Sequence, residues 1–342
     1  MAAAGKVKLV GQRLSQALPA LIGIVVVTFL LTRALPGDPA VYFAGPAADA
    51  NSIAEVRRSL GLDRSLPEQF MVYLRQLSRG DLGQSISTGQ PVAKELLARL
   101  PASLELTLSA LLLSALVAIP LGILAATRPD SWVDHLCRVV TTAGVSLPTF
   151  FTGILLLYVF YYLLGWAPAP MGRLNVLYLS PPPVTGFYTI DAVIAGDIET
   201  ARAAAAQLVL PAVTLALFTL APLARMTRGS MLQVLGSDFV RTARAAGLSG
   251  RTVLFTYAFR NALLPVITTL GMVFSFTLGA NVLVEKVFAW PGIGSYAIEA
   301  LVVSDYAAVQ GFVLAMATMF VALNLVIDIA YTLIDPRVGI EG

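Results

Sequence analysis

The sequence predicts an all-α polytopic membrane protein. Six transmembrane helices are expected, with both chain ends on the inner side and an outer domain between helices one and two. Three observations carry this. Of 342 residues, 57% are apolar and 13% are charged, against about 45–50% and about 25% in ordinary soluble domains; mean hydropathy is +0.79. Runs of the roughly 20 apolar residues that a bilayer core demands recur between polar stretches. Basic residues collect in alternate connections, as short inner loops require.

The first span is Leu14–Thr32, preceded by Lys6, Lys8 and Arg13. Its apolar run exceeds the roughly 7–15 residues of a signal-peptide core, and no small-x-small cleavage site follows, so it is expected to be retained. The second, Leu104–Ala126, carries one charge, Glu105, at its start. The third, Val139–Leu164, carries none, and the fourth, Leu208–Ala224, holds Pro211 and Pro222 near its ends. The fifth is Leu263–Val284 and the sixth Ala307–Ile334. Proline within such runs is tolerated where neighbouring helices satisfy the freed backbone groups. With the first end inside, the inner segments hold Arg128, Arg138, Arg225, Arg228, Arg241, Arg244, Arg251, Arg260 and Arg337 besides the N-terminal three. The outer segments Gly165–Gln207 and Glu285–Tyr306 hold only Arg173, Arg202 and Lys286.

The expected organisation is residues 1–35 as inner tail and first helix, 36–102 as the outer domain, and 103–335 as a core of helices two to six with an inner loop over 225–261. Residues 36–102 carry seven basic and seven acidic side chains, and their spacing of Leu60, Leu62, Leu66, Phe70, Val72, Leu74 and Leu77 predicts short amphipathic helices. Gly165–Gln207 opens with Trp166-Ala-Pro-Ala-Pro170 and contains Pro181-Pro182-Pro183, which predicts a stiff, irregular first half and a small helix over Thr200–Gln207.

Enzymatic chemistry is not expected. One cysteine, Cys137, and one histidine, His135, exclude an intrachain disulfide, thiolate clusters and multi-histidine metal sites. Gly5-Lys6 lacks the preceding glycines of a phosphate loop, so no ATP site of that kind is expected. His135 and Cys137 lie two residues apart, a spacing that does not bring helical side chains face to face. A net charge of +3 on so few charges does not predict a nucleic-acid surface. Within the spans, Asp328 stands one helical turn after Asn324; intramembrane acids are functional suspects, but no second mid-depth acid completes a relay, and a structural polar pair is expected.

The informative segment is the loop after the fourth span. Its first part reads as helix, with Met231, Leu232 and Leu235 on one side. Ser237 or Asp238 is a suitable N-cap for a second, short helix that Gly247 would close as C′ residue. That helix would present Arg241, Thr242, Ala243, Arg244, Ala245 and Ala246, a small and basic surface suited to a partner's groove.

Asp238-Phe239-Val240-Arg241-Thr242-Ala243-Arg244-Ala245-Ala246-Gly247-Leu248, followed by Arg260-Asn261-Ala262-Leu263-Leu264-Pro265, resembles the cytoplasmic loop of binding-protein-dependent ABC importer permeases of the dipeptide/oligopeptide/nickel type. Arg241-Thr242-Ala243 stands where the general signature has Glu-Ala-Ala, and fourteen residues separate Gly247 from Ala262, departures common in the peptide-type subfamily. Leu35-Pro-Gly-Asp-Pro39, Gly80-Asp-Leu-Gly-Gln-Ser85, Arg99–Thr107, Phe288-Ala-Trp-Pro-Gly-Ile-Gly294 and Asp305–Gly311 are similar to other family segments, in order, and match the first of the two peptide permeases. The resemblance implies a membrane subunit without a cofactor of its own in a bacterial or archaeal cytoplasmic membrane. It would pair with a second homologous permease, with two ATPase subunits that hold ATP and Mg and with an outer substrate-binding protein. Asp238–Leu248 with Arg260, Asn261, Leu264 and Pro265 would couple to the ATPases. Nickel and glutathione permeases share these patterns; a stand-alone ion-coupled transporter is the rival class.

Overall fold

The computed structural model describes residues 18–334 except 32, 34–37 and 46. The basic N-terminal tail, Arg337 and most of the Leu35–Pro39 motif lie outside the described residues. Among those described the chain is all-helical, with one isolated antiparallel bridge, Gln84–Pro91. Among the described residues, four helices are long and apolar enough to cross a membrane. They are α5 (Val92–Thr127), α9 (Ile198–Leu235), α11 (Gly250–Val287) and α13 (Tyr306–Ile334).

Shorter apolar helices are α1 (Leu18–Leu31), α7 (Thr149–Leu163) and α12 (Ile293–Val302). The remainder are α2 (Pro39–Ala44), α3 (Ala50–Ser59), α4 (Leu66–Leu77), α6 (Trp132–Ser146), α8 (Tyr188–Ile194) and α10 (Asp238–Ala245). Of the residues whose spacing predicted short amphipathic helices, Leu66, Phe70, Val72, Leu74 and Leu77 lie in α4 while Leu60 and Leu62 fall in the turn before it, and the proline-rich stretch before α8 is irregular as expected.

Three expectations are corrected. The third apolar run is not one rod: α6 stops at Ser146, Leu147 is extended (φ −110°, ψ 140°), and α7 restarts after Pro148. A residue before proline is pushed out of the helical region by the ring, and uninterrupted apolarity concealed that break. The last seven residues of α7, Leu157–Leu163, are π-helical. Thr200–Gln207 is not a separate small helix but the start of α9, which runs on through Pro211 and Pro222. The inner segment opens with helix and holds a short second helix as expected, α9 continuing to Leu235 and α10 following, but α11 begins at Gly250, ahead of the fifth span expected from Leu263.

The chain divides into two compact units. One comprises the described residues up to Pro101 together with Gly292–Ala322. Its core gathers Val92, Leu96, Ile293, Tyr296, Ala300 and Ala308, and Phe29 meets Phe70 edge-on at 5.1 Å and stacks with Tyr73. Here the Gly80–Ser85 and Asp305–Gly311 segments meet. The buried Asp305 carboxylate accepts from Ser85 Oγ at 2.6 Å, from Ser87 N at 3.2 Å and from Ala308 N at 3.1 Å. It therefore caps α13 and straps the turn around Gln84–Pro91 to it.

The other unit holds Ala102–Pro291 and the described residues from Leu323. Helices approach closely where side chains are small, the usual membrane solution. A Cβ on Gly122 would stand 2.7 Å from Thr227 Cβ and 2.9 Å from the Ala224 carbonyl, and one on Gly144 would stand 2.7 Å from the Leu217 carbonyl. Ala102, Leu106, Ala212, Leu215, Val284, Phe288 and Trp290 form one core of this unit, with Trp290 Nε1 donating to the Ala102 carbonyl at 2.9 Å.

Candidate functional site: a short helix between two span ends

Helix α10 is built by local chemistry and held by a few apolar contacts. Gly236 and Ser237 separate it from α9. Ser237 occupies the N-cap position with extended backbone (φ −75°, ψ 156°), but its hydroxyl donates back to the Val234 carbonyl at 2.6 Å and does not cap α10. Asp238 instead places a carboxylate in the first turn, favourable to the helix dipole, and pairs with Arg241. Thr242 Oγ1 donates to the Asp238 carbonyl at 3.0 Å.

The far end is the expected glycine stop. Gly247 has φ +76°; its N–H donates to the Arg244 carbonyl at 3.0 Å and that of Leu248 to the Ala243 carbonyl at 3.3 Å. This pair of bonds is the Schellman closure. Ser249 accepts from the Thr252 N–H at 3.2 Å and starts α11.

Val240 and Ala243 are buried and pack against Val253, with Val234 and Leu235 alongside. The ends of α9 and α11 therefore grip one side of α10. Ala243, expected on the presented surface, is on the gripped side: positions three apart on a helix share a face, and Val240 sets which face turns inward. Phe239, Arg241, Thr242, Arg244, Ala245, Ala246, Gly247 and Leu248 are exposed. The outward surface is thus one aromatic ring and small side chains flanked by two guanidinium groups.

Arg260, Asn261, Leu264 and Pro265 lie in α11, the first two in helix where the inner loop was expected and the last two within the expected fifth span. The stretch before them, Val253–Phe259, is π-helical, and such segments are frequent at functional positions. Asn261 Nδ2 donates to the Tyr257 carbonyl at 2.6 Å, at the end of that stretch. Pro265, within α11, has no N–H to give to the preceding turn. Asn324 is exposed in α13; the side chain of Asp328 lies outside the described ones.

Sequence reasoning missed a buried ion cluster nearby. Asp134, in the first turn of α6, is fully buried and receives Arg228 Nε at 2.5 Å, Arg228 Nη2 at 2.8 Å and Arg138 Nη2 at 2.7 Å. The i,i+4 pair Asp134–Arg138 was a legible signal; its link to Arg228, 94 residues away, was not.

Glu105 of α5 accepts from Arg173 Nη2 at 2.6 Å and from Thr189 Oγ1 at 2.6 Å, both contributed by the segment between α7 and α9, and both ionic partners are buried. The Arg173 guanidinium also covers the Tyr188 ring at 3.6 Å and donates to the Gly186 carbonyl at 2.6 Å. Among the described residues, no group of three or more His, Cys, Asp or Glu side chains is arranged to hold a metal ion.

The family described as binding-protein-dependent transport system inner membrane component matches residues 118–340, and its N-terminal counterpart matches residues 6–107. A probable D,D-dipeptide transport system permease protein of Escherichia coli (strain K12) is 44% identical over 320 residues, 94% of this chain and 94% of the relative. A di/tripeptide transport system permease protein of Pseudomonas aeruginosa is 41% identical over 330 residues, covering 96% and 98%. A dipeptide transport system permease protein of Alkalihalophilus pseudofirmus is 38% identical over 330 residues, again covering 96% and 98%. No enzyme family is indicated by these matches. With matches over most of its length, the chain belongs to the inner-membrane components of binding-protein-dependent transport systems.

Proposed function

We propose that the chain is one of two permease subunits of an ATP-driven importer of di- and oligopeptides in a bacterial or archaeal cytoplasmic membrane. The observation that carries it is α10: a short helix gripped on its Val240–Ala243 side by the ends of two spanning helices and exposed on its small, basic side. A rigid knob of this kind transmits a partner's movement directly into α9 and α11. The partner at α10 is an ATPase subunit that holds ATP and Mg, since this chain carries no phosphate loop; Asp238–Leu248 is the contact, with Arg260, Asn261, Leu264 and Pro265 supporting it from further along α11. Closure of two ATPases around ATP would then switch the pathway by differential contacts in two states.

In this reading α1, the broken pair α6–α7, α5, α9, α11 and α13 are the six spans, with both chain ends inside. Residues 1–35 form the inner tail and first span, residues 36–102 the outer domain, and residues 103–335 the core, with the coupling segment within 225–261. The outer segments receive a substrate-binding protein, and a second homologous permease completes the pathway. Peptides are the substrate class because the relatives are named for dipeptide and di/tripeptide transport. Asn324 and Asp328 serve as a polar pair within the last span rather than a proton relay.

Gly247→Arg tests the contact. A Cβ there meets nothing within 4 Å, so the added side chain projects from the exposed end of α10, and the left-handed backbone costs about 1–2 kcal/mol. Loss of ATPase co-purification and of dialanine uptake is expected. Unchanged co-purification and uptake would overturn the assignment.

A further inference from the structure

Arg228 and α10 belong to one mechanical element. Helix α9 runs without interruption from Arg228 to Leu235, about 10 Å at 1.5 Å per residue, and Val234 and Leu235 then pack against α10. At the Arg228 turn the backbone of α5 also closes in: a Cβ on Gly122 would stand 3.0 Å from the Arg228 nitrogen. Helix α6 is joined to this turn by Asp134, whose side chain is fully buried and whose two oxygens receive the two-pronged Arg228 guanidinium. Forked arginine–carboxylate pairs fix orientation as well as distance. Asp134 also accepts from Arg138 and from the Asp130 N–H at 3.1 Å; Asp130 itself has φ 58° and accepts from Arg138 at 2.9 Å. The first turn of α6 is thus tied to α9 by charge, its last turn packs closely on α9 at Gly144, and the helix stops at Leu147–Pro148.

The Asp134 carboxylate is taken wholly out of water, although Arg138 stays half-exposed and Arg228 a quarter exposed; a buried charge left without its partner is strongly destabilising. We propose that Asp134 is a positioning residue of the transport cycle: through Arg228 it makes α6 part of the body that moves with α9 and α10, with Leu147–Pro148 as the flexing point. This rests on the reading of α10 as the ATPase contact.

The test uses the complete importer in proteoliposomes, with dialanine and saturating binding protein. Asp134→Asn keeps the shape and removes the charge. The expected result is at least a tenfold fall in dialanine imported per ATP hydrolysed, with ATPase subunits still co-purifying. Proportional loss of uptake and ATP hydrolysis, or no change in their ratio, would overturn the proposal.

Should the variant fail to assemble, spin labels at His135 and Met226, in a Cys137→Ser background, decide it. Their separation is expected to stay constant between ATP-free and ATP-trapped states, while a His135–Phe151 pair across the break changes; a changing His135–Met226 distance would overturn it. Gly247→Arg separates the two levels of the argument. If that variant binds ATPases and transports normally, the reading of α10 fails. If it is inactive while Asp134→Asn remains coupled, only the role of Asp134 fails.

Discussion

Asp191 organises a stretch that has no regular structure of its own. One carboxylate oxygen accepts from Thr185 N at 2.8 Å and Thr185 Oγ1 at 2.7 Å, the other from Gly186 N at 2.9 Å and Val184 N at 3.2 Å. Burial alone would raise its pKa, but these bonds outweigh burial and the net shift is downward. A depressed carboxyl stabilises the fold above its unfolded value, 3.8, and loses that contribution as pH falls through the lower folded value. At neutral pH, Asp191→Asn is therefore expected to speed proteolytic cleavage of the 174–186 stretch about tenfold, the loss of roughly one charged hydrogen bond. The wild type should become comparably labile only below pH 3.8. Cleavage rates of the purified protein across pH check both halves; a variant as resistant as the wild type at neutral pH would show that Asp191 does not hold this stretch.

At the scale of elements, local and distant information separate cleanly. The end of α10 at Gly247 was legible because a glycine after a short helix acts through its own backbone and needs no partner. The start was half legible: Ser237 stands where expected, yet its hydroxyl turns back to Val234. The fate of Ala243 was not legible, since the helix is small and polar on several sides and only Val234, Leu235 and Val253 determine which side is covered. The Asp305 strap shows the same limit. Both quoted segments were visible in sequence, but nothing in them says that Ser85 and Asp305, 220 residues apart, share a hydrogen bond. Replacing Asp305 by Ala leaves the N–H of Ala308 and the groups of Ser85 and Ser87 without their acceptor. A loss of about 3 kcal/mol is expected, seen as a lower midpoint of thermal unfolding in detergent, and an unchanged midpoint would refute it.

For the whole molecule, topology is the property most directly testable. Cys137 is buried, 1% exposed, so a single introduced cysteine reports with little background. Arg128 and Leu177 are both exposed, Leu177 at 83%. In intact cells, Leu177→Cys is expected to react with a membrane-impermeant maleimide. Arg128→Cys should react only after permeabilisation. The opposite pattern, or labelling of both in intact cells, would refute the N-in, C-in arrangement.

Composition and run length determined that the chain spans a membrane and is helical, because a bilayer demands both whatever the tertiary arrangement. The ordered motifs identified its family. Tertiary structure decided which side of α10 is covered, that α6 and α7 are separate rods, and that Arg228 is bound by Asp134 and does not lie free in an inner loop. The physical reason is common to all three. Spanning length and glycine stops are properties of neighbouring residues, whereas burial, register and ion pairing depend on which distant helix the chain brings alongside.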